Sequence, residues 1–109
     1  MSSTSNTQPK PWALVTGASS GIGEAFARRF AREGWNVILV ARSADKLQTL
    51  SRELGQGEAG AKSLVMASDL TQKDAPRNIY DEVSRVGIEL RALVNNAGSA
   101  KSESFLRTD

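Results

Sequence analysis

The chain is 109 residues long and carries fourteen Lys and Arg against twelve Asp and Glu, a formal net charge of +2. That length suits one domain able to bury about two-thirds of its unfolded surface, and the basic residues are scattered, with no run that would follow a nucleic-acid backbone. There is no cysteine and no histidine, which removes disulfides, thiol nucleophiles, Ser-His triads and most zinc sites at once.

Residues 1–11 are polar and rich in Ser and Thr, without the apolar core of a secretory signal, and are expected to form a flexible tail. No apolar run approaches the ~18 residues of a membrane span, so no membrane partner is expected and the cytoplasm is the default compartment. No acidic cluster has metal-binding spacing, so no metal is expected.

Four short apolar runs then follow, Trp12–Thr16, Asn36–Ala41, Ser63–Ala67 and Ala92–Asn95. None alternates as a strand with one wet face would, so each reads as a strand buried on both faces, as in parallel sheets. The first is followed at once by glycines at 17, 21 and 23 and by a helical pattern carrying Ile22, Ala25, Phe26 and Phe30 on its apolar face, closed by Gly34. A second helix opens at Ser43, buries Leu47, Leu50 and Leu54, and stops at Gly55. A third is expected to open at Thr71, with Asp74 three residues on as a near capping box, and to bury Ala75, Ile79, Val83 and Val86.

The alternation β-α-β-α-β-α-β with right-handed crossovers predicts an α/β fold, a Rossmann-like doubly wound parallel sheet of four strands in order 3-2-1-4 with three helices. Ligands of such sheets bind beyond the carboxyl ends of the strands, where the strand order reverses, and the glycine turn leaves strand 1 at that point. A strand, a glycine-rich turn and a helix N-terminus together make a seat for phosphate, because the first N–H groups of the helix lack partners and its dipole favours negative charge. Three glycines in seven residues equally suit close strand–helix packing, and the other strand ends weigh in: Ala41-Arg42-Ser43, Ser68-Asp69-Leu70 and Asn95-Asn96-Ala97-Gly98 surround the same crevice.

The run Thr16-Gly-Ala-Ser-Ser-Gly-Ile-Gly23 resembles the T-G-x-x-x-G-I-G coenzyme motif of the short-chain dehydrogenase/reductase family, in its single-domain branch. Asp69-Leu70 resembles the family's adenine-contacting D-[VL] pair, and residues 95–98 resemble its N-N-A-G motif. The resemblance implies an oxidoreductase that moves a hydride between a nicotinamide coenzyme and a carbonyl or alcohol. It implies that Gly17, Ser19, Ser20 and Ile22 face phosphate and ribose, with Gly23 a packing glycine. Asp69 and Leu70 would meet the adenine, Asn96, Ala97 and Gly98 the adenosine side, and Asn95 would brace the sheet. Helix capping is the plain alternative for Ser19 and Ser20, and a turn before Thr71 the alternative for Asp69.

Arg42 and Ser43 bear on which coenzyme is held. A carboxylate at the end of strand 2 would accept from a free ribose 2′-hydroxyl and repel a 2′-phosphate. Arg42 stands there instead, with no acid before Asp45, and a guanidinium can hold a phosphate through paired charge-assisted bonds. NADP(H) is therefore expected over NAD(H), against the alternative of a solvated arginine. Many family members carry a second basic residue before the second glycine, where this chain has Ser20.

The family's catalytic Ser, Tyr and Lys are expected to follow the N-N-A-G motif. The single tyrosine, Tyr80, precedes it and has Ser84 four residues on. No catalytic residue is expected here: residues 12–109 read as the N-terminal coenzyme-binding part of a domain truncated before a fifth strand, inactive alone. A carbonyl or alcohol substrate, and any oligomer, would belong to a full-length form. The alternative is a complete, non-catalytic dinucleotide-binding or interaction module.

Overall fold

The computed structural model describes residues 10–96. The elements follow in the order β1 (Trp12–Thr16), α1 (Gly21–Arg32), β2 (Asn36–Ala41), α2 (Ala44–Gly55), β3 (Ser63–Ala67), α3 (Ala75–Arg85) and β4 (Leu90–Val94). The strands form one parallel sheet in the order β3-β2-β1-β4, so the chain crosses from one edge of the sheet to the other between β3 and β4. Among the described residues no helix is long and apolar enough to cross a membrane.

The unbroken apolar runs of β1 and β2 are explained by two cores, one on each face of the sheet. Successive side chains of a strand point to opposite faces. Ala13, Val15, Val37 and Leu39 accordingly pack with Ala27 and Ala31 of α1 and with Leu47, Leu50 and Leu54 of α2. Leu14, Ile38 and Val40 point the other way and pack with Ile79 and Val83 of α3. Ile38 and Leu39 are each fully buried, and truncating either to Ala should cost about 2–5 kcal/mol. β3 and β4 sit at the two edges and are only half-buried.

Four sequence expectations shift. In α1 the buried face is Gly23, Ala27 and Ala31, whereas Ile22 is 64% and Phe26 45% exposed. Small residues take the inner face because the helix lies almost on the turn that precedes it: a Cβ on Gly23 would come within 2.0 Å of the Gly17 carbonyl oxygen. α3 begins at Ala75, not Thr71, with Pro76 in its first turn. Asp69 captures the segment first. Its Oδ1 accepts from the Thr71 backbone N–H (2.9 Å) and hydroxyl (2.6 Å), an arrangement that closes a turn instead of starting a helix. Val86 falls beyond α3 and is 41% exposed. β4 runs over Leu90–Val94, which leaves Asn95 past its end.

Candidate functional site

The four strands all deliver their carboxyl ends to one side of the sheet. The β1 end is set by Gly17, which adopts φ +63°, a conformation that strains any residue with a Cβ. A Cβ there would also meet the Asn96 carbonyl oxygen at 2.7 Å. The turn that follows is tied internally: the Ser20 N–H (3.1 Å) and hydroxyl (2.8 Å) both donate to the Gly17 carbonyl, and the Ala18 N–H donates to the Val40 carbonyl at 3.1 Å. Ser20 is the N-cap residue of α1, yet its side chain makes no capping bond to the helix. Its hydroxyl proton is committed backward, to Gly17.

Thr16 couples this turn to the end of β4. Its hydroxyl accepts from the Asn96 N–H at 2.7 Å and donates to the Asn95 Oδ1 at 3.2 Å. Thr16 is fully buried, so the bond satisfies a group that would otherwise be costly to leave unpaired. The Asn96 amide nitrogen in turn donates to the Ser20 Oγ at 3.3 Å. The arrangement brings the ends of β1 and β4 and the start of α1 into one hydrogen-bonded unit.

Beyond that unit opens a cleft of about 410 Å³. Gly17, Ser19 and Ser20 line it from the turn, Arg42 and Ser43 from the end of β2, Asp69 and Leu70 from the end of β3, and Asn96 from the end of β4. Eight residues singled out from the sequence thus share one cavity. Ile22 is not part of its lining, and Ala97 and Gly98 lie outside the described residues. Tyr80 lies away from this cleft, half-exposed beside Leu14, Val83 and Leu93.

Sequence reasoning missed Lys46 and Thr71, which also line the cleft with Ser68. Lys46 was within reach of a helical argument: residues three apart share a face, and Lys46 stands three after Ser43, the N-cap of α2, whose side chain accepts from the Lys46 N–H.

The electrostatics of the cleft are asymmetric. Asp69 is held below its ordinary value of 3.8, first by the Thr71 hydroxyl and then by the Thr71 N–H, with the nearby positive charge of Arg42 contributing least. It stays a carboxylate and an acceptor. Arg42 makes no hydrogen bond or ion pair among the described residues, and neither does the ammonium of Lys46. A neighbouring cavity of about 470 Å³ between α1 and α2 is the contrast. There Arg28 is bound by Glu24 and by Glu53, whose bonds to it raise its pKa above the ordinary value. No group of three or more Asp and Glu able to hold a metal ion occurs among the described residues.

The family model for the short chain dehydrogenases matches residues 11–109. The chain belongs to the short-chain dehydrogenase family. It is 40% identical over 89 residues to the 17-beta-hydroxysteroid dehydrogenase type 3 of Rattus norvegicus, covering 80% of this chain and 28% of that protein. Among solved structures it is similar to an alcohol dehydrogenase from the archaeon Thermococcus sibiricus complexed with 5-hydroxy-NADP, at a TM-score of 0.76 and 36% identity over 83% of this chain and 38% of that one. It is similar also to the L-sorbose reductase of Gluconobacter frateurii complexed with NADPH and L-sorbose, with TM-score 0.75, 37% identity and coverage of 83% and 34%. The chain therefore spans about a third of the length of these relatives. Its four-stranded sheet is the Rossmann-like sheet of the family.

Proposed function

We propose that this chain is the NADP(H)-binding portion of a short-chain dehydrogenase whose longer form interconverts a carbonyl and an alcohol. The observation that carries the proposal is the unpaired Arg42 guanidinium on the cleft at the end of β2, where no acid precedes Asp45. A carboxylate there would select a free 2′-hydroxyl; a guanidinium selects a 2′-phosphate.

The residues present fit such a coenzyme. Nothing lies within 4 Å of where a Cβ on Gly21 would sit, so protein packing does not require that glycine, and a bare backbone at the head of α1 lets a phosphate approach the free N–H groups. The Ser19 hydroxyl is available to donate. Ser20, with its proton on Gly17, offers its backbone and its oxygen instead. Arg42 and Ser43 would hold the 2′-phosphate, the second oxygen of Asp69 would accept from the adenine amino group, and Leu70 and Asn96 would flank the adenosine. Bound there, the coenzyme supplies the hydride. On this reading the longer form would contribute the residues that move the proton and seat the substrate, and residues 1–109 alone should reduce no ketone.

The test is calorimetric titration of the chain with NADPH and with NADH. Charge-assisted bonds to Arg42 contribute about 1.5–3 kcal/mol each, so NADPH should bind roughly tenfold to hundredfold more tightly. Equal affinities would remove Arg42 from this role.

A further inference from the structure

The phosphate-binding turn between Gly17 and Gly23 carries no charged side chain. A phosphomonoester bears about −1.5 to −2 charges at neutral pH, so a single guanidinium leaves part of that charge unmet. We infer that Lys46 is the second cation of the 2′-phosphate subsite, reaching it from the first turn of α2. The inference rests on the NADP(H) reading and names a residue that reading does not use.

Three independent features of Lys46 point the same way. It lines the cleft together with Arg42 and Ser43, from a different element. Its ammonium has no partner among the described residues, although Asp45, Glu24 and Glu53 line the adjoining cavity that it also borders; Glu24 and Glu53 are taken by Arg28. Its position also runs against the helix that carries it. Lys46 is the third residue of α2, where a glutamate would complete a capping box with Ser43 and suit the positive end of the helix dipole. A lysine there forgoes both local advantages. A doubly charged phosphate between Arg42 and Lys46 supplies the missing counter-charge for both. Ser43 accepts through Oγ from the Lys46 N–H (3.4 Å), which leaves its hydroxyl proton free for the same phosphate.

The bland role for Lys46 is a solvated cation that offsets the acids of the adjoining cavity. That role would show in the melting temperature and would be blind to the ligand's 2′ position. The experiment measures binding of adenosine 2′,5′-bisphosphate and of 5′-AMP to the unmutated chain and to Lys46→Ala, Lys46→Arg and Arg42→Ala, with a melting curve for each. The bisphosphate should bind about three- to tenfold more weakly to Lys46→Ala, with 5′-AMP within about twofold, and Lys46→Arg should recover most of the loss. If Arg42→Ala discriminates between the two nucleotides and Lys46→Ala does not, the inference falls and the NADP(H) reading stands. An equal loss for both nucleotides in Lys46→Ala also overturns it. If the unmutated chain shows no preference for the bisphosphate, the NADP(H) reading and the inference fall together.

Discussion

The two sides of the cleft are built on opposite principles. On the β1 side, most of the turn is held by the protein itself: Gly23 lies on the Gly17 carbonyl, Ser20 donates to the same oxygen, and Thr16 clasps Asn95 and Asn96. On the β2 side, Arg42 and Lys46 hold nothing among the described residues. The first side would look much the same whether or not a ligand ever bound. The two cations of the second have no partner that the fold supplies among the described residues. Glycine spacing is therefore evidence of close packing first, and the unpaired cations are the better indicator of what the cleft holds.

That contrast can be broken most forcefully at Gly23. A Cβ 2.0 Å from a backbone oxygen cannot be relieved by a rotamer change, so Gly23→Ala should destabilise the fold by at least ~3 kcal/mol. In a domain this size that is a fall in Tm of about 12 °C or more. A Gly23→Ala protein that melts like the unmutated chain would show that α1 does not lie so close to the turn.

Thr16→Val comes next. It keeps the shape of the side chain and removes the hydroxyl that pairs with Asn96 and Asn95, leaving a donor without its acceptor at a cost of about 1–3 kcal/mol. Urea melts should show the midpoint falling with an unchanged slope. Because the same bonds position Asn96 and Ser20 on the cleft, coenzyme affinity should fall along with stability.

The smallest effect is expected at Asp69. Its folded pKa lies below its ordinary value, so the stabilisation its charge provides is complete above about pH 4 and is lost as pH falls through the lower, folded value. In Asp69→Asn the carboxamide oxygen can still accept from Thr71, but the side chain carries no charge to titrate. The difference in Tm between Asp69→Asn and the unmutated chain should therefore be present near neutral pH and shrink as pH falls below about 4. A difference that grows on acidification would reverse the sign assigned to this group.

These residues also mark how much can be read without coordinates. Three of the four strands, the sheet order and eight of the residues lining the cleft are legible because buried parallel strands leave unbroken apolar runs, and because strand ends in such a sheet converge by topology. Periodicity misreads the α1 face because it scores Ile22 and Phe26 as inward, while contact distance to the turn demands Gly23, Ala27 and Ala31. The start of α3 is misplaced because Thr71 and Asp74 look like a cap. Asp69 competes for Thr71 through a turn that spacing alone does not reveal. Lys46 escapes notice because its three-residue spacing from Ser43 puts the two on one helix face without revealing that this face borders the cleft.

The central claim, that the cations of the β2 side serve a phosphate and not the fold, is tested most directly by melting Arg42→Ala with and without coenzyme. A ligand that binds only the folded state raises Tm with its concentration. Without coenzyme, Arg42→Ala should melt within about 1 °C of the unmutated chain, since its guanidinium contributes no bond to the fold. With saturating NADPH, the unmutated chain should gain several degrees more than with NADH, and Arg42→Ala should lose that excess. An Arg42→Ala protein that melts much lower without ligand, or that keeps the full NADPH-dependent rise, would contradict the account.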